Sequence, residues 1–159
     1  MSKIKTFWKL PLRVKFYILI ASICLPTFQI VIYFIPLRKI LSFLNYSPIN
    51  EYPGFINKRS AVPDSLNNLV YSIKVVGNHF PILKIKCLAK ALSCLFIADK
   101  HSKKYLTLHL GVLISNKMIK AHAWINYRQH SILGEEIKNS YNQVACFAQS
   151  ETSKSTTLD

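Results

Sequence analysis

The feature that most restricts the fold of this chain is an apolar segment near its start. Residues 16–37 contain no charged side chain; Lys15 precedes them, and Arg38 and Lys39 follow them. A helix of about 20 apolar residues is long enough to cross the hydrocarbon core of a bilayer. The segment therefore predicts one long apolar helix, whatever surrounds it.

Three placements of this helix stay open from the sequence. Pro26 lies in the middle of the run and predicts a kink, and the polar residues Thr27 and Gln29 follow it. Basic residues at both ends give no clear orientation across a membrane. The helix can span a membrane, lie in the membrane interface, or pack against the rest of the protein.

The net charge points to acidic partners. Lys and Arg number 21 against 7 Asp and Glu, which gives a formal charge of +14. Such an excess favours nucleic acid, an anionic membrane or an acidic peptide. The sequence has no Arg-rich run, no RNA-binding signature and no zinc-finger spacing, so we expect no nucleic-acid partner.

The cysteines predict a reducing compartment. They lie at positions 24, 87, 94 and 146, without a CxxC pair. Four scattered cysteines in a chain that is half apolar do not resemble a secreted disulfide framework. We expect a cytoplasmic protein, membrane-associated if residues 16–37 enter a bilayer, with each thiol free to react.

Composition divides the chain into four segments. Residues 1–44 form a basic and apolar helical segment, and residues 45–65, with three prolines and a glycine, form a linker. Residues 66–149 hold the candidate catalytic domain. Residues 150–159 are polar and predict a disordered tail.

Periodicity predicts helices followed by strands. Apolar residues at helical spacing indicate a helix from Asp64 or Ser65 to about Val76, and a second from about Lys84 to Lys100. The period then changes to that of strands, at Tyr105–Ser115, Lys120–Tyr127 and from Ile132 onward. This order predicts an α+β fold with a small antiparallel sheet.

Cys87 and His122 are the residues most suited to chemistry. Cys87 lies near a helix start after Lys84 and Lys86, and positive charge there favours the thiolate. His122 lies on a strand between two alanines, which leaves room beside a helix. Each residue also has a simpler structural interpretation, a small buried cysteine and a hydrogen-bonded strand histidine. Cys94 is expected in the core.

Three short motifs resemble one known family. Cys87–Leu92 (CLAKAL), Leu108–Val112 (LHLGV) and Ala121–Ile125 (AHAWI) are similar, in order and spacing, to motifs of the B-type leader peptidases of lasso-peptide biosynthesis. That family is a branch of the transglutaminase-like, papain-like cysteine peptidases. The resemblance covers roughly residues 66–147.

The resemblance implies a peptidase that removes the leader from a ribosomally made precursor. By matching position, Cys87 is the nucleophile and His122 the general base, with no cofactor and no metal. It also implies three partners: the precursor, a lasso cyclase resembling asparagine synthetase, and a PqqD-like leader-recognition protein. Residues 1–60 do not resemble the recognition domain, so we expect that protein to be separate.

The third catalytic residue is open. The resemblance implies an aspartate where this chain has Gly134. If Arg128–Gln129 form a two-residue hairpin turn, Tyr127 pairs with His130, and counting back sets Glu135 opposite His122 on the same face. Asn126 is the other candidate, and a dyad without a third residue is a further one.

Two other functions stay open. One is a non-enzymatic, membrane-associated and degenerate transglutaminase-like binding protein, indicated by the apolar segment and the absent aspartate. The other is acyl transfer or deamidation by the same dyad, because an acyl-enzyme accepts more than one nucleophile.

Overall fold

The computed structural model describes residues 10–49, 61–79, 85–115, 118–134 and 140–150. Five helices lie in these ranges: α1 (Leu12–Phe34), α2 (Leu37–Phe43), α3 (Asp64–His79), α4 (Cys87–Ile97) and α5 (Lys100–Lys103). The strands are β1 (Tyr46–Pro48), β2 (Leu106–Ser115), β3 (Met118–Tyr127), β4 (His130–Leu133) and β5 (Asn142–Gln149).

The five strands form one antiparallel sheet. Their order is β1-β5-β2-β3-β4, so the β2–β3 hairpin lies at the centre and β1 and β4 lie at the edges. Strand β3 pairs with β2 along its whole length, from Leu106 opposite Tyr127 to Ser115 opposite Met118. An antiparallel sheet preceded by helices, with an apolar helix first, confirms the α+β prediction.

The core lies between the helices and one face of the sheet. Successive strand residues point to opposite faces, and Leu106 and Leu108 of β2 belong to the same buried cluster as Leu69, Ile73 and Leu92 of the helices. The other face of β2 carries Thr107 and His109. The face alternation of the central hairpin therefore separates the apolar core from a polar layer.

Helix α1 packs against this core. Val14, Ala21, Leu25 and Gln29 recur at spacings of seven and four, so they form one side of the helix, and all four are buried. This side, the packing stripe, lies against α3 and α4. The hydroxyl of Ser72 on α3 donates to the carbonyl oxygen of Val14 at 3.4 Å. Of the three placements, packing on the domain is therefore the one observed.

Apart from the packing stripe, α1 is the long apolar helix that the sequence predicted. Among the described residues it is the one helix that is long and apolar enough to cross a membrane, by length and composition. It continues as a helix through Pro26. Where the structure describes residues 1–44, burial of the packing stripe joins α1 to α3 and α4, which is the core-packing placement.

Several element bounds differ from the predicted ones. Strand β1 lies inside the predicted linker, where pairing with β5 orders Tyr46–Pro48. The second predicted helix divides into α4 and α5, since Asp99 caps a new helix by accepting from the backbone N–H of Ser102 at 2.8 Å. Strand β5 was not predicted. Of the predicted tail, Ser150 is described and donates to the carbonyl oxygen of Asn45, and residues 151–159 lie outside the described residues.

Replacing Leu25 by alanine tests whether α1 belongs to the core. Leu25 is fully buried, so Leu25→Ala should lower the free energy of unfolding by about 2–5 kcal/mol in urea denaturation. Leu19→Ala, the same change on the exposed side of the same helix, should change it by about 0.5 kcal/mol or less. Equal effects of the two substitutions would contradict the packing of α1.

Candidate functional site

Cys87 is the first residue of α4. The preceding residue, Lys86, has extended backbone and makes no side-chain capping bond. The first backbone bond of the helix runs from the N–H of Lys90 to the carbonyl of Lys86 at 3.2 Å. The N–H groups of the first turn, from Cys87 onward, have no intrahelical acceptor and carry partial positive charge. Cys87 therefore stands at the helix end that presents these backbone donors.

A buried amide from α1 fixes the start of this helix. Oε1 of Gln29 accepts the backbone N–H of Lys86 at 2.9 Å, and the Gln29 side chain is only 2% exposed. A buried polar group needs such a partner. The polar residue that interrupts the apolar helix thus holds the residue next to Cys87. Sequence reasoning counted Gln29 only as a defect in a membrane span.

The Lys86 side chain reinforces the same junction. Its Nζ lies 4.8 Å from the centre of the Tyr33 ring. The hydrogen bond and positive charge of Lys86, with a smaller contribution from a hydrogen bond with Gln29, lower the pKa of the Tyr33 hydroxyl. Lys86 is thus joined to α1 twice, through its main chain to Gln29 and through its side chain to Tyr33.

His122 is held on β3 by its neighbours. Its Nε2–H donates to the backbone carbonyl oxygen of Gly134 at 2.9 Å. The imidazole lies beside Trp124, with ring centres 6.1 Å apart, and beside Tyr141, at 5.2 Å. One hydrogen bond and two ring contacts fix the ring plane, and Nδ1 is the nitrogen that this bond leaves available.

Gly134 can present its carbonyl because it has no side chain. Its φ is +78°, a region that residues with a Cβ rarely adopt. A Cβ there would lie 2.9 Å from the carbonyl oxygen of Ala123 and 3.1 Å from Nε2 of His122. At the position where the resemblance implies a carboxylate, the chain therefore offers a backbone oxygen to the same ring nitrogen.

Cys87 and His122 line two shared cavities. The smaller, of about 160 Å³, is also lined by Lys74, Asn78, Lys90 and Gly134. The larger, of about 480 Å³, is mostly apolar and is bounded by Ile32, Tyr33 and Leu37 on one side and by strand residues such as Leu110 and Val144 on the other. We call the larger one the apolar cleft. The pair predicted from the sequence is thus brought to the same two cavities.

Thiol and imidazole share these cavities without a direct bond. In the part of the chain that the structure describes, Cys87 makes no hydrogen bond to His122, whose Nε2 is bonded to Gly134. By strand alternation His122 shares a face with Trp124, while Ala123 belongs to the helix-side core. Strand alternation thus directs the imidazole to the sheet face opposite the one that packs on the helices, and Cys87 and His122 border the same cavities without forming a hydrogen-bonded pair.

Of the two candidate third residues, the described residues include Asn126 alone, and it does not bond the imidazole. Glu135 lies outside the described residues. The counting that set it opposite His122 assumed an unbroken ladder, but a bulge between Ile125 and Asn126 shifts the pairing with β4 by one residue. Asn126 is four residues from His122 along the strand, roughly 13 Å away at the usual rise. Its buried Oδ1 has no hydrogen-bond partner.

A second buried histidine, His109, contacts His122 indirectly through Trp124. His109 is completely buried; its Nδ1 donates to Oε1 of Gln143 at 2.7 Å, so its Nε2 accepts from the Thr107 hydroxyl at 2.9 Å. The ring stacks on Trp124 at 5.4 Å and 9°. Because Trp124 in turn contacts His122, this network positions the imidazole. The LHLGV motif contained His109 but gave no signal for the role.

The remaining cysteines differ from Cys87 in burial. Cys94 is fully buried, which raises the pKa of its thiol to about 12, and Cys146 is buried beside His109. Burial also raises the pKa of the half-buried Cys24. Among the described residues, no three His, Cys, Asp or Glu side chains are grouped to hold a metal ion.

Comparison with protein families, with curated proteins and with solved structures found no match. A function for this chain therefore has to come from the geometry of the site and from the three motifs.

Replacing Gln29 by leucine tests the junction between α1 and α4. Gln29→Leu removes the acceptor of the Lys86 N–H and should lower the free energy of unfolding by about 1–3 kcal/mol in urea denaturation. Thr27→Val, an exposed change on the same helix, should stay within about 0.5 kcal/mol. A Gln29→Leu protein as stable as the control would show that the bond does not hold the junction.

Thiol alkylation tests the accessibility of the proposed nucleophile. Native protein treated with iodoacetamide at pH 8 and mapped by mass spectrometry should carry label on Cys87, while Cys94 and Cys146 stay unmodified because they are buried. In urea all four cysteines should react. Labelling of Cys94 as fast as Cys87 in the native protein would contradict the arrangement described.

Proposed function

We propose that this protein is a cysteine peptidase of the transglutaminase-like type, which removes the leader from a lasso-peptide precursor. The observation that carries this proposal is the joint lining of two cavities by Cys87 and His122, with Cys87 at the start of a helix. The three motifs that resemble the leader peptidases supply the reaction and the substrate class.

The geometry suits nucleophilic catalysis on a peptide bond. Nε2 of His122 donates to Gly134, so Nδ1 is the nitrogen that takes the thiol proton of Cys87. The sulfur attacks the scissile carbonyl, and the N–H groups of the first turn of α4 stabilise the oxyanion. The imidazolium then returns its proton to the departing amine, and water hydrolyses the thioester.

The direct thiol–imidazole bond forms when substrate is bound. Catalytic hydrogen bonds are often long or misaligned in unliganded enzymes and shorten in the complex. The two groups border the same cavities, and the proposed mechanism requires the imidazole to turn toward the sulfur when substrate binds. The Gly134 carbonyl keeps the same ring nitrogen occupied meanwhile, as the third member of a triad does.

The two cavities indicate the peptide that fits. The apolar cleft accepts an apolar side chain next to the scissile bond, between the end of α1 and the strands. The smaller cavity is lined by two lysines, Lys74 and Lys90, and suits an acidic group of the substrate. A precursor with an apolar residue at the cleavage point and acidic residues nearby matches both.

The proposed setting is the bacterial cytoplasm. Four free cysteines agree with a reducing compartment. The proposal includes a separate PqqD-like protein that presents the leader and a lasso cyclase resembling asparagine synthetase that uses the product. It requires no cofactor, because thiol and imidazole supply the chemistry.

A non-enzymatic function is the second candidate. The observation that favours it is the missing hydrogen bond between Cys87 and His122. In that case the fold would bind a peptide or protein without cleaving it. Loss or retention of cleavage on substitution separates the two.

Substitution of the pair tests the peptidase. We expect the wild-type protein to cleave members of a synthetic peptide library that carry an apolar residue at the cleavage point. Cys87→Ala and His122→Ala should each lower the cleavage rate by about 10³-fold or more. The cleavage rate is measured by mass spectrometry of the products. Product masses distinguish hydrolysis from acyl transfer.

Matched controls remove the effect of folding. Cys24→Ala and the exposed His101→Ala change the same residue types outside the site and should keep the wild-type rate. Far-ultraviolet circular dichroism should be the same for all four variants. Cleavage that survives Cys87→Ala would exclude Cys87 as the nucleophile.

A further inference from the structure

The side of α1 opposite the packing stripe is apolar and exposed. Its residues recur every three, four or seven positions, and they are between 52% and 83% exposed. At 100° per residue they lie within about 60° of arc, along about 33 Å of helix. We call this surface the apolar stripe: Leu12, Phe16, Leu19, Ile23, Ile30 and Phe34.

An exposed surface of this kind marks an interaction site. Soluble proteins rarely expose contiguous apolar patches of several hundred square ångströms. The packing stripe on the other side is buried against α3 and α4, and Gln29 is bonded to Lys86 there. The side of α1 that faces away from the domain is therefore the one open to lipid or protein in this fold.

The charges around the stripe select the partner. Arg13 and Lys15 lie at one end of α1, and Arg38 and Lys39 lie just beyond the other. Residues 1–50 contain no Asp or Glu. Cationic side chains at both ends suit a helix that lies parallel to an anionic surface, with each end among the headgroups.

The same charges disfavour a second copy of this chain. Pairing of two stripes, parallel or antiparallel, brings the basic end of one helix against a basic end of the other. Each copy carries a formal charge of +14, and these positive charges repel each other. Residues 1–50 contain no acidic residue that could pair with the basic ends. An anionic bilayer would instead attract the basic residues at both ends of α1.

We propose that the apolar stripe docks the folded protein onto an anionic lipid bilayer, with α1 lying in the plane of the interface. The stripe enters the region between headgroups and acyl chains, and the domain takes the place of the polar face that an amphipathic helix usually has. Tyr33 lines the apolar cleft and lies at the border of the stripe, so docking holds the cleft near the membrane. This docking does not depend on the peptidase function.

Flotation with vesicles tests the docking. The full-length protein should float with vesicles of phosphatidylcholine and phosphatidylglycerol, less with pure phosphatidylcholine, and less at high salt because ions screen the basic ends. The double variant Leu19→Glu/Ile23→Glu should lower the bound fraction at least about tenfold, since it puts two carboxylates into the interface.

The matched control carries the same charge change elsewhere. Ile114 and Ile119, which pair across the β2–β3 hairpin, are as exposed as the stripe. Ile114→Glu/Ile119→Glu should float like the wild type. A second variant, Arg38→Gln/Lys39→Gln, keeps the stripe and should weaken binding to the anionic vesicles alone. Circular dichroism should be the same for all proteins.

Three results would overturn the docking. The first would be a wild-type protein that does not float with anionic vesicles. The second would be a Leu19→Glu/Ile23→Glu protein that floats as well as the hairpin control, Ile114→Glu/Ile119→Glu. Alternatively, sedimentation velocity without lipid shows a dimer that Leu19→Glu/Ile23→Glu converts to a monomer. Cys87→Ala should float like the wild type, so failure of the peptidase and failure of docking are separate outcomes.

Discussion

The hydrogen bond from the Lys86 main chain to the buried amide of Gln29 is the constraint on which most of the molecule depends. It joins an apolar helix to the first turn of the helix that carries Cys87. Together with the burial of Val14, Ala21 and Leu25, it fixes one side of α1 to the domain. The same contact therefore decides where the sulfur lies, which wall the apolar cleft has, and which side of α1 is left for other partners.

The His122 imidazole is oriented by a backbone carbonyl, whereas catalytic triads use a side-chain carboxylate for this purpose. The Gly134 carbonyl accepts the Nε2 proton, and the positive φ of this glycine makes that approach sterically accessible. A neutral acceptor stabilises an imidazolium less than a carboxylate does, so this arrangement fixes orientation more than charge. The stack of His109, Trp124 and His122 adds rigidity that a single hydrogen bond lacks.

Local periodicity was enough for much of the fold, while Cys87 and His122 were selected by the resemblance of three motifs to a known family. The spacing of apolar residues gave α3, α4 and the β2–β3 hairpin, because each buries one face. Long-range pairing was not accessible: β1 and β5 are about a hundred residues apart in sequence and order each other. The bulge between Ile125 and Asn126 was not accessible either, since one extra residue in a ladder leaves no mark in composition. The Gly134 carbonyl was missed for a related reason, because a backbone acceptor has no residue type.

The apolar character of α1 on every side, which first indicated a membrane span, has two separate physical causes. One side is apolar because it belongs to the domain core, as the burial of Leu25 requires. The opposite side has no such reason within the fold, and a soluble helix would carry polar residues there. Leu19 and Ile23 are exposed, so Glu or Lys at these positions would be compatible with the fold. An apolar side between cationic ends agrees with the proposed docking of α1 on an anionic interface.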